Sequence, residues 1–238
     1  MAQEKVRLNK YIAQAGVCSR RDADKLIDTG KVMVNGEIAT MGVKVNDADD
    51  IIVNGKTLHG RDEKVVLAYH KPVGITCTEK DKFAEKKILD YVKYPVRVTY
   101  AGRLDKESRG LILLTNDGDL INAMMRGANR HEKEYIVKVK EEIGEDFVEK
   151  MSGGMYIPDL KKTARECEVE KIGKYTFRII LTQGLNRQIR LMCKTLGYHV
   201  TSLERVRIMN IELGSLKVGE WRLLTEEEKQ TLYRNCFM

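Results

Sequence analysis

Gly102-Arg103-Leu104-Asp105-Lys106-Glu107-Ser108-Arg109-Gly110-Leu111-Ile112-Leu113-Leu114-Thr115 is the stretch from which the rest of the chain can be read. Its second half, Leu111 to Thr115, is a short apolar run of the kind that forms a buried strand. Its first half holds the polar groups. If Gly102 to Asp105 is extended, side chains two apart point the same way, so Arg103 and Asp105 share one side and Leu104 anchors in the core. A guanidinium close to a carboxylate favours the ionised form. An ionised, positioned carboxylate can serve as nucleophile or base. The same spacing also describes a surface Arg-Asp pair at a strand end, which is the commoner arrangement and contributes little.

The flanking segments continue the pattern. Val65-Val66-Leu67-Ala68-Tyr69 has strand composition, and Glu134-Tyr135-Ile136-Val137-Lys138-Val139 alternates polar and apolar as a half-buried strand does. Tyr175-Thr176-Phe177-Arg178-Ile179-Ile180-Leu181 is another such run, while Glu145 to Lys150 and Thr225 to Tyr233 have helical patterning. Only three prolines interrupt the chain. Residues 65–238 are therefore expected to form an α+β domain around a mixed, largely antiparallel central sheet.

Two more groups in this part bear on chemistry. In Gln183-Gly184-Leu185-Asn186-Arg187-Gln188-Ile189-Arg190, Asn186 is placed to cap a helix running to Gly197. Ile189, Met192, Cys193 and Leu196 would fill its apolar face. Arg187, Arg190 and Lys194 lie three and four apart on another face, where the positive end of the helix dipole adds to them. Such an end suits a phosphate or a catalytic carboxylate, although a solvated basic face has the same spacing. Tyr135, on its expected strand, can stack on a base or simply fill core.

Ahead of residue 60 lies a smaller unit, set off by the charged stretch Gly60-Arg61-Asp62-Glu63-Lys64. Leu8, Ile12 and Ala15 fall on one face of a first helix that Gly16 ends. Ser19 caps a second helix, with Asp22 three residues on as a capping-box variant. Ala23, Leu26 and Ile27 form its apolar face and Gly30 closes it. Strands Lys31 to Val34 and Ile51 to Val53 run into the turns Asn35-Gly36 and Asn54-Gly55. Basic residues outnumber acidic ones across the two helices. Arg7 with Lys10, and Arg21 with Lys25, can each share a helix face, which suits phosphate contact as well as plain solvation.

Composition narrows the function classes. The chain has 238 residues, 42% of them apolar, and 42 Lys plus Arg against 35 Asp plus Glu, a net charge of +7. That modest excess fits an anionic partner. The five cysteines form no C-x-x-C pair, which argues against a zinc or disulfide framework and for a reducing cytoplasm. The four histidines lack metal-ligand spacing. No apolar run approaches the ~18 residues of a membrane span, and Met1-Ala2-Gln3-Glu4-Lys5 lacks the apolar core of a signal peptide.

Two resemblances add to these readings. Arg7-Leu8-Asn9-Lys10-Tyr11-Ile12-Ala13, Ser19-Arg20-Arg21-Asp22-Ala23 and Gly30-Lys31-Val32-Met33-Val34-Asn35-Gly36 together resemble the RNA-binding module named after ribosomal small-subunit protein S-four. The likeness spans roughly residues 5–55 and implies that Arg7, Lys10, Arg20, Arg21 and Lys25 contact RNA. Gly102 to Leu111 resembles the signature of bacterial ribosomal pseudouridine synthases, the group of small-subunit type A and large-subunit types B, E and F. Glu132-Lys133-Glu134-Tyr135, Leu185 to Cys193 and Glu204-Arg205-Val206-Arg207-Ile208-Met209-Asn210 look most like type F. The longer basic tail that some type F members carry does not follow the last expected helix.

The resemblance implies a small α/β RNA-binding domain over residues 1–60 and a catalytic domain over 65–238. It implies Asp105 as the essential carboxylate, Arg190 as its basic partner and Tyr135 as the aromatic that packs on the target base. Arg103 is implied to fill the gap left by a flipped nucleotide and Leu203 to line the pocket; Arg187, on the basic face of the helix after Asn186, is a further candidate for substrate contact. The implied activity is isomerisation of uridine to pseudouridine in ribosomal RNA, most of all large-subunit RNA, without metal or cofactor. The expected protein is a cytoplasmic monomer with no obligate protein partner. A non-catalytic RNA-binding assembly protein would need the basic helices but not Asp105. A nucleoside glycosidase would need a second carboxylate.

Overall fold

A computed structural model of the chain describes residues 5–78, 83, 85–126 and 130–237. Residues 1–4, part of the stretch tested for a targeting signal, and Met238 lie outside them. The chain divides into two compact units, Met1–Val65 with Tyr94–Val98 and Asn116–Gly118, and Val66–Lys93 with Thr99–Thr115 and Asp119–Met238.

The first unit begins with β1 (Val6–Arg7), α1 (Leu8–Gln14) and α2 (Arg20–Asp28). Ser19 caps α2 as expected: its Oγ accepts from the Asp22 backbone N–H at 3.2 Å and donates to Asp22 Oδ2 at 2.6 Å. Then come β2 (Val32–Val34), β3 (Glu37–Ile38), β4 (Lys44–Val45), β5 (Ile51–Val53) and β6 (Lys56–Thr57). Asn35-Gly36 and Asn54-Gly55 have positive φ at both positions, the geometry of a two-residue hairpin turn. The resulting sheet runs β3-β2-β5-β6. Leu8, Tyr11, Ile12, Ala23, Ile27, Val32, Val45, Ile51 and Val53 form its core. The charged stretch after Gly60 is bound into this unit. Arg61 grips Asp47 through two hydrogen bonds of 2.9 and 2.6 Å, and the Asp62 N–H donates to the Gln14 carbonyl.

The second unit contains β7 (Val66–Lys71), α3 (Ile88–Tyr91), β8 (Thr99–Ala101), β9 (Arg109–Thr115) and α4 (Gly118–Met125). It continues through β10 (Lys133–Val139), α5 (Phe147–Ser152), β11 (Tyr156–Ile157), β12 (Lys162–Thr163), β13 (Glu168–Gly173) and β14 (Thr176–Leu181). It closes with α6 (Gln188–Thr195), β15 (Val200–Ile208), β16 (Ile211–Glu212), β17 (Trp221–Leu223) and α7 (Glu226–Phe237). A nine-stranded sheet runs β13-β14-β10-β15-β9-β7-β17, with β16 on β15 and β8 on β9. Its pairings are antiparallel except the short parallel pairing between β15 and β9, so the sheet is mixed and mostly antiparallel. Val66, Ala68, Leu111 and Leu113 on one face pack with Leu120, Ala123 and Met124 of α4 and with Leu232 and Cys236 of α7. Among the described residues no helix is long and apolar enough to cross a membrane.

Sequence periodicity misses β15, the longest strand. Register shows why: Glu134 pairs with Arg207 but Tyr135 with Arg205, so Val206 is an extra residue in a bulge. The bulge breaks the period of two. Arg205, at an inward position, is 2% exposed, so a charge stands where the alternation calls for an apolar residue. β7 also runs two residues past the expected Tyr69, through the buried His70 and Lys71.

Candidate active site

Asp105 lies in the irregular segment between β8 and β9. Gly102, at φ +91°, turns the chain out of β8. Leu104 is buried, Arg103 exposed and the Asp105 side chain one-third exposed. The backbone from Asp105 to Ser108 is then tied down carbonyl by carbonyl. The Asp105 carbonyl accepts from Lys71 Nζ at 3.2 Å and from the Ser108 N–H at 3.1 Å. The Lys106 carbonyl accepts from the Gly74 N–H at 2.7 Å. Glu107 offers its carbonyl to Arg190 Nη2 at 3.1 Å, and Ser108 offers its own to Lys71 Nζ at 2.8 Å. Four consecutive carbonyls with fixed partners make a rigid platform for one carboxylate.

The charge facing Asp105 comes from α6. Arg190 Nε stands 3.8 Å and Arg187 Nη1 4.0 Å from Asp105 Oδ2. Both distances exceed hydrogen-bond length, so the arginines act through their field rather than through direct bonds. Arg190 Nη2 also reaches Ser108 Oγ at 3.1 Å. Burial, then the neighbouring Arg187, pulls the Arg190 guanidinium below its usual range. Arg187 Nη1 is 2.7 Å from Glu107 Oε2, and this hydrogen bond holds the Glu107 carboxyl below the usual carboxylate range.

Asn186 does not cap α6. The N-cap is Arg187, in the left-handed region at φ 51° and with no side-chain capping bond. Buried Gln188 organises the entry instead: the Leu185 N–H donates to its Oε1 at 3.0 Å. That leaves Arg187 at the cap position and places Arg190 in the first turn. Ile189, Met192 and Cys193 are buried as expected, while the helix ends at Thr195, short of Gly197, with Leu196 as its half-buried C-cap.

The sheet connects this platform to Tyr135. Tyr135 of β10 pairs with Ile179 of β14 on one side and Arg205 of β15 on the other; Arg205 pairs with Gly110 of β9, and Gly110 with Lys71 of β7. Cross-strand partners share a face and neighbouring strands lie ~4.8 Å apart. Tyr135 therefore looks out from the same sheet face as Arg205 and Lys71, roughly 10 Å along the row from Gly110. Leu203, two residues before Arg205, is buried on this face and pairs with Val137. Gly110, at φ +114°, lets the two strands meet: a Cβ there would lie 2.3 Å from the Arg205 carbonyl oxygen.

Three supporting residues escape motif reading. Lys71 is fully buried with three carbonyl acceptors, the third being Pro72 at 2.9 Å. Arg205 donates through Nε to the Leu111 carbonyl at 2.7 Å and through Nη1 to the Arg103 carbonyl at 3.4 Å. Gln188 is the third. The visible signal for Lys71 is a lysine closing an apolar run directly before Pro72. In the first unit, Arg7, Arg20, Arg21 and Lys25 are exposed and Lys10 is half-buried. Lys25 lies 3.7 Å from Asp22. Arg20 and Arg21 occupy the first turn of α2, where cations oppose the helix dipole, so helix stability does not account for them.

Residues 65–195 match the family described as RNA pseudouridylate synthase, and residues 6–52 match the S4 domain. The chain is 48% identical over 231 residues to the dual-specificity RNA pseudouridine synthase RluF of Escherichia coli K12, covering 96% of this chain and 79% of the relative. It is 36% identical over 232 residues to the ribosomal large subunit pseudouridine synthase B of Bacillus subtilis, covering 95% of each. A crystal structure of a pseudouridylate synthase superposes with a TM-score of 0.70 at 29% identity, over 95% of this chain and 99% of that one.

Proposed function

The chain belongs to the RNA pseudouridylate synthase family, and on that basis we propose that it isomerises uridine in large-subunit ribosomal RNA with Asp105 as the essential carboxylate. The observation that carries this assignment is the partly exposed Asp105, set on a turn with every carbonyl engaged and flanked at 3.8 and 4.0 Å by two arginines at the start of one helix. The reaction breaks the N1–C1′ bond, turns the base and rejoins it through C5, a redox-neutral sequence that the carboxylate can open as nucleophile or base. Tyr135 packs on the target base, Leu203 lines its pocket, and Arg103 fills the gap that the flipped nucleotide leaves. Flipping costs a few kcal/mol in a duplex and less in a loop; stacking on Tyr135 offsets part of it. The name of the Bacillus subtilis relative points to the large ribosomal subunit, and the S4 match in residues 6–52 fits a docking role for Arg7, Lys10, Arg20, Arg21 and Lys25. We place the enzyme in the cytoplasm, in keeping with its five unpaired cysteines, and propose that it acts as a monomer.

Tritium release from C5-labelled uridine in a large-subunit RNA transcript tests the assignment. Asp105→Asn is expected to release none while still binding the transcript. Release at the wild-type rate by that variant would remove Asp105 from the chemistry. A non-catalytic assembly protein would release none even as wild type. Mapping pseudouridines in ribosomal RNA from cells with and without the protein then identifies the uridine.

A further inference from the structure

The sheet face that carries Tyr135 holds three buried or half-buried cations, and their acceptors differ. Lys71 spends its three N–H donors on the carbonyls of Pro72, Asp105 and Ser108. Arg205 does not do the same. Its Nε and Nη1 reach carbonyls, but its Nη2 is buried and has no hydrogen-bond partner among the described residues. Leaving a charged donor unpaired inside a protein costs more than an ordinary missing hydrogen bond. Lys133 is the third. It lies two residues before Tyr135 on β10 and so on the same face. Its one hydrogen bond among the described residues is a long 3.3 Å contact to the His131 carbonyl. Burial, then Arg205, pulls its ammonium down to about 8. Two desolvated cations that repel each other, with backbone carbonyls as their described acceptors, would not persist for stability alone.

The reaction creates an anion where these cations converge. Whether Asp105 bonds to C1′ or takes a proton from the sugar, the C1′–N1 electron pair leaves with the base. The detached uracil is then an anion, its charge shared between N1 and the carbonyl oxygens. When C5 returns a pair to C1′, Asp105 either leaves C1′ as a free carboxylate or gives the sugar back the proton it took, the C5 proton goes to solvent and N1 takes one up. Resting on the isomerase assignment above, we propose that Lys133, with the bare Nη2 of Arg205 beside it, holds the detached uracil as an anion next to Tyr135 while the base turns. This makes Lys133 a catalytic residue separate from the Asp105–Arg190 pair. It also explains why Lys133 keeps an uncommitted ammonium while Lys71, in the same row as Arg205, does not.

Leaving-group dependence separates this role from a structural one. Single-turnover rates are measured for wild type, Lys133→Met and Lys133→Arg on two large-subunit RNA transcripts, one with uridine and one with 5-fluorouridine. Fluorine stabilises the N1 anion by itself. Lys133→Met is expected to lose about 100-fold on uridine, as loss of one preorganised charge donor does. RNA affinity should stay near wild type. On 5-fluorouridine, read by digestion and mass spectrometry of the rearranged nucleoside, the loss should shrink to about tenfold or less. Lys133→Arg should recover most of the uridine rate. Equal losses on both transcripts, no loss on uridine, or a rate that falls only in step with affinity would each overturn the proposal while leaving the isomerase assignment standing. A wild-type enzyme that rearranges neither transcript would instead overturn that assignment, and this proposal with it.

Discussion

Gly110 stands where an antiparallel and a parallel pairing meet, between Lys71 and Arg205. Alanine there would need φ +114° and would drive a Cβ to 2.3 Å from the Arg205 carbonyl oxygen and 2.5 Å from its nitrogen. The atoms that must yield are backbone, so relief cannot come from a rotamer. Gly110→Ala should therefore cost about 3 kcal/mol or more, strain and overpacking together, read as a lowered urea midpoint. Lys71 gives a pH signature at the same scale. Burial draws its ammonium down to about 8, against ~10.4 in an unfolded chain. Between these values the unfolded chain binds more protons, so this group makes stability rise with pH; below about 8 both states are protonated and it adds no slope. Lys71→Met should lack the rise. Urea unfolding at about pH 7.5 and about pH 9.5 should show wild type gaining on the variant at the higher pH; a constant difference would contradict the shifted lysine.

α6 carries much of the site's geometry as an element. Its cap and first turn deliver Arg187 and Arg190 to one carboxylate, and Arg190 reaches the Glu107 carbonyl and Ser108 Oγ through Nη2 of its guanidinium. A lysine keeps the charge but has no planar fork. Arg190→Lys should thus fold normally and still bind RNA, yet lose roughly 10- to 100-fold in single-turnover rate because Asp105 and its turn lose a shared brace. Tritium release measures it, and a rate within twofold of wild type would show that charge alone suffices. The elements also show what patterning could reveal. β9, β10 and β14 were legible because their inward positions are apolar. β15 was not, because Arg205 points inward and Val206 is bulged. The start of α6 was legible within a residue, but its cap was not, since a left-handed Arg187 follows no capping preference.

At the scale of the molecule, the proposed enzyme divides its labour between a docking unit and a chemical unit. Under that proposal the exposed cations of α2 serve docking: Arg20 and Arg21 in the first turn, against the helix dipole, and Lys25 in the last. Replacing Arg20, Arg21 and Lys25 together with alanine should weaken RNA binding and flatten the salt dependence, by roughly 0.7–0.9 in log–log slope for each phosphate no longer neutralised. A salt titration by filter binding measures both, and an unchanged slope would exclude these residues from the interface. The sequence by itself determined the two-part organisation, the S4-like helices with their Ser19 cap and Asn-Gly turns, and Asp105 with Arg190 and Tyr135 as candidates. Each of these depends on local rules: capping, turn conformation, period and motif. Only the tertiary structure decided which groups support them. Lys71, Arg205, Gly110 and Gln188 matter because strands distant in sequence lie side by side, and hydrogen bonds to backbone carbonyls leave no mark on side-chain patterning. The segment from Gly102 to Asp105 therefore announces a carboxylate, but the partners that hold it, and the buried cations along the same sheet face, come from pairings formed only on folding.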